Sequence, residues 1–230
     1  MANPHVRPHL HFYPEDTGKT VAEYYQAAHW RELDDNPHKF TPMAAIKDSH
    51  YYLYEPCILS DGQVCMPYEW FYRDEKLHAS VWMMRAFENS WIVEEYNSAV
   101  LSQDDFLVNF VDWDSSYLSK SCPKATKIAG VQLKQDSTSL SPWTRTNPIE
   151  GNCWRGRAKG AHVFSFPIWL YCDDTSGNQS KKWNKHNSFL FIPGGLPRSY
   201  VHLEYNIHFL CTSNIAPPLE MLDGIVEQLE

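Results

Sequence analysis

The stretch FSFPIWLYCDDTSGNQSKKWNKHNSFLFIPGGLP, Phe164 to Pro197, sets an apolar run against a polar, basic crossing and then returns to a second apolar run. Both runs are short, rich in aromatic and β-branched residues, and bounded by Asp, Ser, Gly, Asn and Pro, which predicts two strands joined by a loop. Pro167 donates no ladder hydrogen bond, so the first strand should lie at an edge or begin with a bulge. Working outward, EYNIHFLCTS (Glu204 to Ser213) reads as a third strand. Beyond Pro217 and Pro218, the residues Leu219, Leu222, Ile225, Val226 and Leu229 recur at helical spacing. The predicted order is strand, strand, strand, helix. PGGLP, Pro193 to Pro197, lacks the spacing and the Lys-Ser or Lys-Thr of a phosphate loop and reads as a tight turn.

Asp173 and Asp174 close the first apolar run and admit two readings. DDTSGN is good turn material, because these side chains hydrogen-bond their own backbone or tolerate left-handed geometry. An aspartate at the end of a buried strand also suits a two-metal phosphoryl-transfer site, in which hard oxygen ligands hold divalent ions about 3.5–4 Å apart. One strand supplies one such ligand, and a complete site needs further carboxylates. In the crossing, Lys181, Lys182 and Lys185 can neutralise phosphates while Trp183 offers a stacking face. Arg155, Arg157 and Lys159, in WRGRAKG, precede the same strand and strengthen that reading, against the plainer one of a solvated loop.

The formal net charge of −8 argues against a nucleic-acid partner, but the charge is unevenly spread. Residues 155 to 208 hold seven Lys or Arg against three acids, a local balance of +4, and the rest of the chain carries −12. Hydrophobic residues make up 43% of the 230 and charged residues 21%, with 9 Trp, 13 Tyr and 11 Phe, so the chain should bury an aromatic core. The N-terminus lacks the apolar run of a signal peptide, and no segment nears the length of a membrane helix. The expectation is an intracellular protein with no membrane partner, nuclear if DNA is its ligand. Cys57, Cys65, Cys122, Cys153, Cys172 and Cys211 show no CxxC spacing and read as reduced, mostly buried thiols. Nor do His5, His9 and His11 come with the further ligands a metal would need.

Upstream, residues 1–16 look like an irregular leader. TVAEYYQAAHWRELDD, from Thr20, predicts a helix opened by a Thr20/Glu23 capping box and ended by Pro37. SHYYLYEPCILSDGQVCMPYEWFY predicts strands to Tyr54 and over Cys57–Leu59, a turn at Asp61-Gly62, and a return from Gln63. The Met and Trp content of Leu77–Phe87 suits a buried helix face, SWIVEEYN a strand, and DFLVNFVDW another. Ser, Thr, Pro and Lys then accumulate from Ser115 to Asn152, a candidate boundary that separates a region 17–140 from a region 141–230. The sequence slightly favours one continuous domain over two.

The segment from Phe164 to Glu230 resembles one found in fungal mobile-element proteins of the Kyakuja-Dileera-Zisupton kind and, more distantly, the plant Tnp2-like transposases; the resemblance covers residues 145–230. It implies an incomplete ribonuclease-H-like core, in which Asp173 stands as the first catalytic aspartate at the end of the first strand. It also implies divalent metal, Mg2+ or Mn2+, held by Asp173 or Asp174, and DNA as a partner through residues 155–208. Up to Glu230 there is no counterpart of the family's second aspartate.

The fold expected is α/β or α+β, with a mixed or antiparallel sheet and flanking helices. Three functions stand as expectations: a transposase-derived nucleic-acid-binding domain without a complete carboxylate set, a protein-interaction module with an acidic N-terminal half, and a small-molecule enzyme that uses an aromatic-lined pocket. The sequence carries no cofactor motif for the last.

Overall fold

In the computed structural model of the chain, the described residues are 3–18, 20–23, 26, 40–113, 122–176 and 185–229. They form an α+β fold of mostly antiparallel and mixed sheets with few helices. The chain divides into two compact units. The larger comprises Phe12–Val21 and Gln26–Ser165, the smaller Met1–His11, Ala22–Tyr25 and Phe166–Glu230. Residues 141–165, grouped with the C-terminal strands on sequence grounds, therefore pack in the larger unit. The helix expected from Thr20 falls mostly outside the described residues. No helix among the described residues is long and apolar enough to cross a membrane.

The larger unit opens with the hairpin β1 (Met43–Ile46) and β2 (Ser49–Tyr52), joined at Lys47-Asp48, where Lys47 takes a left-handed φ of 54°. Next come β3 (Cys57–Leu59), β4 (Val64–Arg73), β5 (Lys76–Phe87), β6 (Ser90–Ser102), β7 (Phe106–Val108) and β8 (Ile128–Gln132). They make one six-stranded sheet in the order β7-β3-β4-β5-β6-β8, antiparallel except where β8 joins β6. The turn at Asp61-Gly62 forms as the sequence indicates, pairing Cys57 with Cys65 and Ile58 with Val64.

Residues 77–87 are strand, not helix. β5 lies in the middle of the sheet, and both of its faces are covered: Leu77, Ala79 and Val81 are buried on one parity, Ser80, Trp82 and Met84 on the other. Apolar residues at both parities hide the two-residue period and imitate a buried helix. The informative signals are the turns at its two ends. Asp74 and Glu75 have φ of 50° and 61°, and Glu88 has 51°, left-handed conformations suited to two-residue hairpin loops. Pro67 is tolerated in β4 because the pairing with β5 shifts register between Pro67 and Glu69, a bulge that releases the ladder at Tyr68.

The main core packs against this sheet and includes Tyr51, Leu53, Met66, Trp70, Val81, Trp91 and Trp113. Cys57 and Cys65 lie within it as free thiols, their Sγ atoms 3.4 Å apart, and burial pushes the Cys57 thiol well above its ordinary value. Cys153 and Cys172 are exposed, so the cysteines are less uniformly buried than expected.

The smaller unit follows the strand, strand, strand, helix order. β9 (Ile168–Ser176), β10 (Lys185–Pro193) and β11 (His208–Ser213) form an antiparallel sheet in the order β11-β10-β9, with Pro167 immediately before β9, an edge strand. The turn after β10 approaches the leader so closely that a Cβ on Gly195 would overlap the His11 carbonyl oxygen, and the His11 amide donates to the Gly195 carbonyl at 2.9 Å. The C-terminal helix, Pro218–Leu229, buries Met221 and Ile225 against Phe189. Its buried sector is rotated from the predicted stripe, leaving Leu219 75% and Leu229 64% exposed. A three-stranded sheet covers only a narrow sector of a helix.

Candidate functional site

The turn between β2 and β3 reads Leu53-Tyr54-Glu55-Pro56, and it places a carboxylate inside the larger unit: Glu55 is 2% exposed. A buried charge needs partners, and the segment after β8 supplies them. The Asn152 backbone N–H donates to Glu55 Oε1 at 2.9 Å. Arg155, on the short helix α1 (Cys153–Ala158), makes a two-pronged contact, Nε to Oε1 at 2.9 Å and Nη2 to Oε2 at 2.5 Å. Its Nη2 also donates to the His50 carbonyl at 3.1 Å, and its Cζ lies 4.5 Å from the Tyr52 ring centroid.

Local sequence makes this clamp possible. Asn152 caps α1, its Oδ1 accepting from the Trp154 N–H at 3.0 Å while its Nδ2 donates to the Leu53 carbonyl at 2.9 Å. Gly151 has φ +77°, and a Cβ there would collide with the Glu55 carboxylate. Glycine meets both demands. Beside the clamp, His50 and His162 stand edge to face at 5.0 Å. Burial, then the neighbouring His162 and Arg155 charges, lower the His50 pKa from its ordinary 6.5.

Sharing Asn152 with the clamp is a cleft of about 330 Å3, lined by Tyr54, Thr144–Asn147 and Glu150–Trp154. Tyr54 holds a left-handed φ of 61°. The Thr146 hydroxyl ties the two walls together, donating to the Tyr54 carbonyl at 3.1 Å and accepting from Trp143 Nε1 at 3.1 Å. Arg145 stands at the wall with its Cζ 5.7 Å from the ring centroids of both Tyr54 and Trp82, and Trp82 in turn stacks on Tyr68 at 4.5 Å. Arg145 Nη2 lies 3.7 Å from Glu95 Oε1, a loose ion pair. The cleft thus sets the aromatic side chains of Tyr54 and Trp154 beside the guanidinium of Arg145 in one small concavity.

The residues singled out in the sequence take different places. Arg155 is held by Glu55. Arg157 is exposed beside Trp154, 5.1 Å from its ring centroid, and Lys159 ends α1 in a left-handed turn, also exposed. Lys181, Lys182 and Trp183 lie outside the described residues, and Lys185 opens β10. Asp173 and Asp174 lie within β9, which runs on to Ser176, rather than at its end. Both side chains are exposed, and Asp173 Oδ1 accepts from the Asp174 N–H at 2.8 Å.

Their cross-strand partners are Ser188 and Asn187, not carboxylates. Consecutive strand residues point to opposite faces. Among the described residues no three His, Cys, Asp or Glu side chains converge, so the donors present do not fit a Mg2+ or Mn2+ site at this strand.

The cleft itself escaped the sequence reading. Most of its residues lie in SPWTRTNPIEGN, which looks like a linker, yet Trp143 in so polar a stretch and Glu55 in so apolar a one were available signals. No curated protein and no solved structure matches the chain. Residues 43–164, more than half of the sequence, match the family model described as Domain of unknown function (DUF8591), and they contain every residue that lines the cleft; the chain belongs to that family.

Proposed function

We propose that the DUF8591 portion of this chain is a small-molecule-binding domain whose ligand occupies the cleft between Tyr54 and the 144–154 segment. The observation that carries the reading is the pairing of an open cleft of about 330 Å3 with a lining segment, Glu150–Trp154, that the Glu55–Asn152–Arg155 clamp holds in place. That volume is at the lower end of the roughly 300–1,000 Å3 usual for ligand sites, so the ligand is small. A buried ion pair adds little net stability, since desolvation offsets its attraction; its use here is to hold a segment in one geometry.

A thermal-shift screen of small polar metabolites tests the reading. Stabilising compounds are expected, and their effect should vanish in a Thr144→Trp variant that fills the cleft. Stabilisation that survives in that variant contradicts the assignment.

A second reading belongs to the smaller unit, where we infer a nucleic-acid-binding role derived from a transposase. In its favour are the chain order of three strands and a helix, which is the order the mobile-element resemblance implies, and the basic residues Lys181 and Lys182 between β9 and β10 with Lys185 at the start of β10. It is a binding role without strand cleavage. Replacing the three lysines by alanine should weaken DNA binding and flatten its salt dependence; unchanged affinity and slope would oppose it.

A further inference from the structure

The chemistry of Arg145 deepens the small-molecule reading, on which this inference rests. A guanidinium carries five N–H donors in a planar fork. The Tyr54 and Trp82 rings stabilise the charge of Arg145, each 5.7 Å from its Cζ, but a cation–π contact consumes no donor. The Glu95 oxygen at 3.7 Å is beyond hydrogen-bonding distance, and among the described residues Arg145 donates no hydrogen bond. Its side chain is 32% exposed, so it combines an oriented charge, free donors and solvent access at one wall of a cleft.

We propose that the ligand is a small carboxylate carried on a flat ring, with Arg145 as the residue that reads the carboxylate. A carboxylate matches the fork with two parallel hydrogen bonds. Phosphate matches the fork too, but charge decides between them. Glu95 near Arg145 and Glu150 in the lining repel a dianion more strongly than a monoanion. Trp154, half-buried in the lining, offers aromatic surface to a ring, and the volume limits that ring to a small one.

The test uses benzoate, its neutral isostere benzamide and inorganic phosphate, each titrated into the whole chain with the Arg Nε–Hε and backbone amide resonances followed by NMR. Benzoate should shift the Arg145 Nε–Hε signal together with residues 144–154. Benzamide and phosphate should bind at least about tenfold more weakly. Arg145→Ala and Arg145→Lys should each weaken benzoate by about 10- to 100-fold while keeping a folded spectrum. Glu95→Gln, which removes the competing carboxylate, should tighten it by up to about fivefold.

Equal binding of benzamide, tighter binding of phosphate, or indifference to both Arg145 variants overturns the carboxylate assignment. If benzoate leaves the cleft unperturbed while neutral compounds perturb it, the ligand class falls and the binding reading stands. If no compound perturbs residues 144–154, both fall.

Discussion

Glu55 is the residue that ties down the segment after β8, because its buried carboxylate is satisfied by Asn152 and Arg155. Removing one partner leaves a buried charge uncompensated, so Arg155→Ala should cost about 3–5 kcal/mol of unfolding free energy in urea titration. Gly151→Ala should cost about 1–3 kcal/mol, from the left-handed backbone and the collision with Glu55. A full-strength Arg155→Ala protein would mean that the pair is not buried in solution. His50 sets a pH dependence in the same neighbourhood. Its folded pKa is below the ordinary 6.5, so the unfolded chain binds the proton first. Stability is complete above about pH 6.5 and falls as the pH drops through that value, and His50→Gln should flatten the slope there. Little of this was legible in sequence, since Glu55 and Arg155 are a hundred positions apart and no local period connects them.

At the scale of elements, bounded apolar runs were legible as strands, while one long strand in the middle of the sheet was not. β9, β10 and β11 were visible as bounded apolar runs, whereas β5 looked helical because the sheet buries both of its parities. The hairpin turns carry the missing information, but in atypical residues. Asp74 and Glu75 occupy two consecutive left-handed positions, where Asn-Gly is preferred, which is why the turn gave no signal. An Asp74→Asn/Glu75→Gly variant should therefore raise stability by about 1 kcal/mol, the left-handed strain relieved less the entropy cost of glycine. A lower melting temperature would show that these side chains do something in the turn besides tolerate it. The C-terminal helix teaches the converse: its period was evident, but the buried sector was not, because Phe189 and the narrow sheet choose Met221 and Ile225.

Across the whole molecule, the two units differ in how much core supports them. The larger packs more than twenty buried side chains around the six-stranded sheet, while the smaller rests on Phe189, Met221 and Ile225 and leaves Ile168, Trp169, Leu170 and Tyr171 partly exposed on β9. Amides of β9–β11 should accordingly exchange with deuterium at lower opening free energy than those of β4–β6; equal protection would contradict this ordering. The unit on which the sequence motifs concentrated is thus the thinner one, and the cleft lies in the family-matched segment that read as a linker. The measurement that bears most directly on the small-molecule reading is a backbone amide NMR titration of the whole chain with a library of small polar compounds. It should give binders whose shifts cluster on Tyr54 and residues 144–154. A library that perturbs no residue of that cleft, or binders that all map elsewhere, would contradict it.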